Sequence, residues 1–251
     1  MPLPLLFPTT WLVPAATAAW AVWTWAHEQA IEREKERARI TALYVNPFLS
    51  ACEDLQSRIY KLVELDGLHK LRKRYPDGSF AEETLYYLVR FYGWLYAVSR
   101  YGPYTQDAVV IQHSAAIRRA FSTSSGDHEV GPFNFFPAEQ KALGKMIMHS
   151  MEGEFGHELD TISYYEFRDV IQSPYRMPES AAVAQTLEML HKAKHSEDIV
   201  GRERLIVAQN HLVDLLNYLE KKLGYSYFPA KRGKCSHLRR TTSDRLAYSA
   251  A

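Results

Sequence analysis

Two Glu-x-x-His motifs are the residues of this chain whose types and spacing could do chemistry. They read Glu154-Phe-Gly-His157 and Glu188-Met-Leu-His191. On a helix this spacing places a carboxylate and an imidazole on one face, and two such motifs with two further glutamates build a di-metal site in a helical bundle. However, glycines interrupt the first motif, and lysines follow the second as on a solvated surface. We therefore expect no metal and no cofactor, and keep these four residues as a candidate polar or ligand site.

Signatures of specific reactions are missing from the rest of the sequence. The chain has no Gly-x-Ser-x-Gly elbow, no Walker loop and no dinucleotide-binding fingerprint. Cys52 falls on the apolar face of a predicted helix and Cys235 lies in the tail, so neither position suits a nucleophile. Two distant cysteines also make neither a disulfide framework nor a zinc site. This pattern favours a non-enzymatic role.

The elements that must position the candidate residues are predicted to be helices. Apolar residues recur at helical spacing, and no segment alternates with period two for long enough to predict a sheet. We expect an all-α fold with about seven or eight helices after an N-terminal span.

The segment from Phe80 to Ser99 is apolar nearly all round, which predicts a buried central helix. Arg90 lies at its middle. A central arginine costs about 2.5–3.5 kcal/mol on membrane-insertion scales, so we do not expect this helix to span a membrane. Inside a domain Arg90 requires an acidic partner, which we expect from another helix. The pair would be either structural or part of the candidate polar site.

Two later segments complete the predicted domain. Residues 122–136 form the one long irregular stretch, of a length that is often functional or mobile, and we expect an exposed polar loop there. Pro137 begins a segment with an apolar face of leucine, isoleucine and methionine, which predicts a helix as far as Gly153.

The stretch from Leu3 to Ala26 reads as a membrane anchor. It has no charge in 24 residues and holds four of the five tryptophans, Trp11, Trp20, Trp23 and Trp25. A helix needs about 20 apolar residues to cross the hydrocarbon of a bilayer, and tryptophans favour its interface. A cleaved secretory signal is the alternative, but the basic n-region is missing and the apolar run is too long.

The flanking charges give this anchor a direction. Arg33, Lys35, Arg37 and Arg39 follow it, and no lysine or arginine precedes it. By the positive-inside rule, the N-terminus faces out and the domain lies in the cytoplasm. The formal net charge of +1 does not indicate a nucleic-acid partner.

The last residues, from Ala230, lose the hydrophobic pattern and become basic, which predicts a disordered tail. Its candidate contacts with anionic lipid are Lys231, Arg232, Lys234, Arg239 and Arg240. The predicted organisation is a transmembrane anchor over 1–26, a charged helical stalk over 27–45, an all-α cytoplasmic domain over 46–229 and a disordered basic tail over 230–251.

These features predict a single-pass membrane protein whose cytoplasmic helical domain acts as a scaffold, an assembly factor or a partner-binding protein. Its expected partners are the lipid bilayer and another protein. The alternative is an enzyme or a lipid-binding protein that acts on a membrane-proximal substrate. Its site would lie near Arg90, the 122–136 loop and the Glu154-Phe-Gly-His157 motif.

Overall fold

The computed structural model describes residues 12–65, 67–102, 104, 106–122, 131–153, 156–173, 180–224, 226 and 232–236. Within them the prediction of an all-α fold is confirmed, with one β-hairpin added. The helices are α1 (Leu12–Ile40), α2 (Asn46–Val63), α3 (Gly67–Arg74), α4 (Ser79–Tyr101), α5 (Ala108–Ala120), α6 (Pro137–Ile147), α7 (Tyr164–Gln172), α8 (Ala181–Lys192) and α9 (Arg202–Leu223). The strands are β1 (Met148–Gly153) and β2 (Gly156–Thr161).

Helix α4 is the buried centre of the domain, as its sequence predicts. Phe80, Phe91 and Trp94 are each at most 1% exposed. Helices α2, α6 and α8 all pack against it. Because the helix is apolar nearly all round, neighbours can cover it from several sides and bury little polar surface.

Helices α4 and α6 come into backbone contact where Gly93 meets Gly144. A Cβ atom on Gly144 would lie 2.8 Å from the carbonyl carbon and oxygen of Tyr92. A Cβ atom on Gly93 would lie 2.8 Å from the side chains of Ile147 and Met148. The distance between packed helices depends on the side chains at their contact, so these two glycines set the close approach.

Helices α5 and α9 are antiparallel and are tied together at both ends. At the start of α5, the Asp107 carboxylate accepts a hydrogen bond of 2.9 Å from the Tyr218 hydroxyl and pairs with Lys222. At its end, the Arg204 guanidinium donates to the carbonyl oxygens of Ala120 and Ser122, at 3.4 and 2.8 Å. The middles of the two helices are thereby held against each other.

Asp107 is also the N-cap of α5, and its ionisation stabilises the fold. Its Oδ1 accepts from the backbone N–H groups of Val109 and Val110 at 3.0 and 3.2 Å. Burial raises the pKa of Asp107, but hydrogen bonds from Lys222, Val110 and Tyr218 outweigh it and lower the pKa to about 2. The folded chain therefore holds the ionised form better than the unfolded chain does.

Replacing Asp107 with asparagine is expected to lower the free energy of unfolding by about 1 kcal/mol at pH 7, allowing for solvent screening of the pair with Lys222. Because the folded pKa is depressed, this contribution is present above about pH 4 and is lost as the pH falls towards 2. Urea unfolding at several pH values measures the difference between the two proteins. A gap that stays constant between pH 7 and pH 2 would contradict the role of the charge.

The helix predicted from Pro137 to Gly153 is wrong beyond Ile147. Strand β1 begins at Met148 and pairs antiparallel with β2, so that Met148 lies opposite Thr161. After Met148 every residue of β1 is exposed. Since no buried face imposes an alternation of apolar and polar residues, period-two reasoning has nothing to detect here.

The tail prediction is wrong for residues 232–236, which pack against the domain. The Arg232 side chain is 5% exposed and lies between Glu53 of α2 and Glu220 of α9. The backbone N–H of Cys235 donates to the Gln209 side chain at 2.9 Å, and the Cys235 side chain is 4% exposed. Paired acids and a buried thiol fix this segment. Residues 230, 231 and 237–251 lie outside the described residues.

Candidate functional site

Helix α1 carries its aromatic residues away from the core. From Ala16 to Arg39 every residue except Thr24 is exposed. Trp20, Trp23 and Trp25 are 65%, 57% and 62% exposed. Large aromatic side chains gain about 25 cal/mol for each Å² of apolar surface removed from water. Burial of these tryptophans against an apolar surface would therefore be favourable, and the described part of the chain does not bury them.

The aromatic rings run along α1 to the residue where its polarity changes. Trp20 and Trp23 have ring centroids 5.2 Å apart, and Trp23 stacks on His27 at 5.4 Å. After His27 the helix is charged, with an ion pair of 3.8 Å between Arg39 and Glu36. The apolar segment thus ends sharply at His27.

None of the described helices is both long enough and apolar enough for a membrane crossing. The span predicted from Leu3 to Ala26 includes residues 3–11, Trp11 among them, which lie outside the described residues.

Arg90 pairs with an acid from another helix, as its sequence position predicts. Its Nη1 lies 2.5 Å from Oδ2 of Asp54 in α2, and its Nη2 donates to the Ser50 hydroxyl at 3.4 Å. The side chain of Arg90 is 21% exposed. These contacts join α4 to α2.

The structure does not arrange the two Glu-x-x-His motifs as facing helical pairs. The first motif lies in the hairpin, where His157 is opposite Glu152 in the neighbouring strand. The spacing of one helical turn therefore does not apply to it. Glu154 and the side chain of His157 lie outside the described part of the chain. Glu188 is exposed on α8 and pairs with Lys192. The His191 ring packs edge-on against Phe80, with centroids 6.3 Å apart.

Both cysteines are buried free thiols. Burial raises the pKa of Cys52 well above its usual value, and burial raises the pKa of Cys235 to about 12. Because a thiol attacks as its thiolate, neither cysteine is activated as a nucleophile.

Two of the bases predicted to contact lipid are instead paired within the domain. Arg232 lies between two glutamates, and Lys234 lies 2.6 Å from the Asp214 carboxylate. The other predicted contacts, Lys231, Arg239 and Arg240, lie outside the described residues.

Three potential metal ligands converge on the face between α5 and α9. His113 of α5 and His211 and Asp214 of α9 each place one ligand atom within 4.8 Å of the others. The Nδ1 atoms of the two histidines are 3.1 Å apart. Burial first, and then the neighbouring His113, lowers the pKa of His211, which favours the neutral imidazole that binds metals.

Sequence reasoning missed this cluster because its two histidines are 98 residues apart. One local signal was present, since His211 and Asp214 are three residues apart on a predicted helix and share a face. The third ligand becomes visible only when α5 is known to pack on α9, which a single sequence does not state.

Comparisons with protein-family models, with curated proteins and with solved structures give no match to this chain.

Proposed function

We propose that this chain is a membrane-anchored protein whose helical domain binds a protein partner at the membrane surface. The proposal is carried by α1, whose tryptophan-bearing segment is exposed and makes a sharp boundary with a charged segment at His27. A bilayer has an apolar interior next to an interface that favours tryptophan, and both match this pattern.

The anchor we propose is the whole stretch from Leu3 to Ala26. Its described part, from Leu12, is shorter than the roughly 20 residues that a crossing requires, and the uncharged residues from Leu3 to Trp11 supply the remainder. The basic residues after His27 orient the N-terminus outwards and the domain towards the cytoplasm. The glutamates among them lie in the charged segment, outside the hydrocarbon.

A groove beside α8 is the surface we propose for the partner. It has a volume of about 510 Å³ and apolar lining residues that include Met189, Ala193 and the 62% exposed Val200. Glu188, Lys192, Lys194 and Asp198 also line it. Apolar contacts with a polar rim are typical of protein interfaces.

The anchor is tested by alkaline carbonate extraction of membranes from cells that make the full chain. We expect the wild-type chain to stay in the membrane fraction. Replacing both Val13 and Ala16 with aspartate should move it to the extract, because each charge near the bilayer centre costs about 2.5–3.5 kcal/mol. Ala30→Asp, in the charged segment, is the matched control and should behave as wild type. Release of the wild-type chain by carbonate or high salt would contradict the anchor.

The partner site is tested by placing a photoreactive residue at position 200 of the full chain in native membranes. We expect a discrete crosslinked protein from this position and none from position 217, an exposed site about 22 Å along α9 from its start. The charge reversal Lys192→Glu, at a lining residue whose side chain is 75% exposed, should weaken the crosslink without disturbing the core. A chain that crosslinks equally from positions 200 and 217 has no specific partner at the groove.

A further inference from the structure

We propose that His113, His211 and Asp214 form a binding site for a divalent transition metal, with Zn²⁺ as its best fit. The site lies on the face between α5 and α9 and does not depend on the membrane anchor. Two imidazoles and a carboxylate are a ligand set that zinc commonly uses with three protein ligands, and the fourth position is then open to water or another ligand.

The distances between the ligand atoms suit a single ion. Two nitrogens bound to a tetrahedral zinc at about 2.0–2.1 Å lie about 3.4 Å apart, and the Nδ1 atoms of His113 and His211 are separated by 3.1 Å. The Asp214 carboxylate is within 4.8 Å of both. Rotation of the Asp214 side chain, which is 38% exposed, would bring its oxygen the remaining distance, at most about 1.4 Å, to the separation that a shared zinc requires.

The two helices that carry the ligands are already held in place. His113 lies in the middle of α5 and His211 in the middle of α9, between the tie at Asp107 and the tie at Arg204. Because the helices are fixed at both ends, the ligands lose little conformational freedom when the ion binds, and this favours high affinity.

Lys234 is the group that competes with the ion. Its ammonium lies 2.6 and 2.8 Å from the two oxygens of Asp214 and is 50% exposed. A metal would replace this ammonium as the counter-charge of the carboxylate. The ammonium and the metal ion are both cations and compete for the same carboxylate. Removing the Lys234 charge should therefore strengthen metal binding, while removing any ligand should weaken it.

The test is titration of the purified full-length chain, treated with a chelator and held in mild detergent, with zinc chloride. A chromophoric chelator competes for the zinc and reports affinity. We expect one zinc per chain, with affinity about 100-fold lower in His211→Gln and Asp214→Asn and higher in Lys234→Met. His69→Gln, which removes an exposed histidine of α3, is the matched control and should bind as wild type.

Cobalt binding adds a spectroscopic readout that distinguishes loss of a ligand from loss of folding. Co²⁺ in the wild-type chain should give the intense visible absorption of tetrahedral coordination, and His113→Gln should lose it while keeping the wild-type circular dichroism. The proposal is overturned if wild type and His211→Gln bind zinc equally, or if Lys234→Met binds it no more tightly than wild type. In that case the two imidazoles form only a hydrogen-bonded pair.

Discussion

Replacing Arg232 with alanine is expected to lower the free energy of unfolding by about 3 kcal/mol or more. The guanidinium Nε lies 2.5 Å from Glu53, and its Nη2 lies 2.8 Å from Glu220. Both glutamate side chains are 12% exposed. Without the guanidinium both half-buried carboxylates lose this counter-charge. Removing one member of a buried ion pair costs about 3–5 kcal/mol, and the partial exposure of these glutamates places the expected cost at the low end of that range. Urea unfolding followed by circular dichroism measures the change.

Lys234→Ala is the matched control, since it removes a neighbouring base whose pair with Asp214 is half exposed. We expect a loss below about 1 kcal/mol. The triple variant Arg232→Met, Glu53→Gln, Glu220→Gln removes all three charges together and should recover part of the stability lost in Arg232→Ala. If Arg232→Ala is no less stable than Lys234→Ala, the segment 232–236 does not hold its packed position in solution.

Gly144→Ala is the second substitution with a large expected effect. Within a helix, alanine is favoured over glycine by about 1 kcal/mol, so propensity alone predicts a more stable protein. The added Cβ would lie 2.8 Å from the backbone of Tyr92, which cannot move aside as a flexible side chain can. Overpacking costs about 1–3 kcal/mol or more, and we expect a net loss of about 2 kcal/mol in thermal or urea unfolding.

Substitutions of two other glycines serve as controls for the effect of Gly144→Ala on stability. The two shortest contacts of a Cβ atom on Gly93, at 2.8 Å, are with side-chain atoms of Ile147 and Met148, and its backbone contact with the Gly144 carbonyl oxygen is longer, at 3.1 Å. Gly93→Ala should therefore cost less than Gly144→Ala. A Cβ atom on Gly131 meets no described atom within 4 Å, and Gly131→Ala should leave the stability unchanged or raise it by up to about 1 kcal/mol. A Gly144→Ala protein that is more stable than wild type would show that α4 and α6 can separate freely.

The sequence predicts the parts of this fold that depend on local pattern. The apolar circumference of α4 predicts its burial, and the charge of Arg90 within it predicts an acidic partner on another helix. The antiparallel pair of β1 and β2 was missed because β1 is exposed after Met148 and leaves no hydrophobic alternation. Strand pairing there depends on backbone hydrogen bonds, which side-chain periodicity does not record.

Contacts between residues far apart in the chain could not be predicted from the sequence for a different reason. Arg232 and Glu53 are 179 residues apart, and His113 and His211 are 98 residues apart. Composition shows that Arg232 belongs to a basic segment, but the acids that neutralise it become neighbours only through the packing of α2 on α9. The same limit hid the histidine cluster, in which each ligand alone resembles an ordinary polar residue.

The continuous helix from α1 into α2 would set a stand-off distance between the proposed membrane anchor and the rest of the domain. The charged segment His27–Ile40 is helical and passes into α2 through the π-helical turn Thr41–Val45 without a loop. At 1.5 Å per residue this segment measures about 20 Å, more than twice the screening length of about 8 Å at physiological ionic strength. If the proposed anchor ends at Ala26 in a bilayer and α1 stands upright, Thr41 would lie about 20 Å from Ala26, beyond the screened range of headgroup charge. Only a partner whose binding surface lies at about this distance from the membrane would then reach the domain.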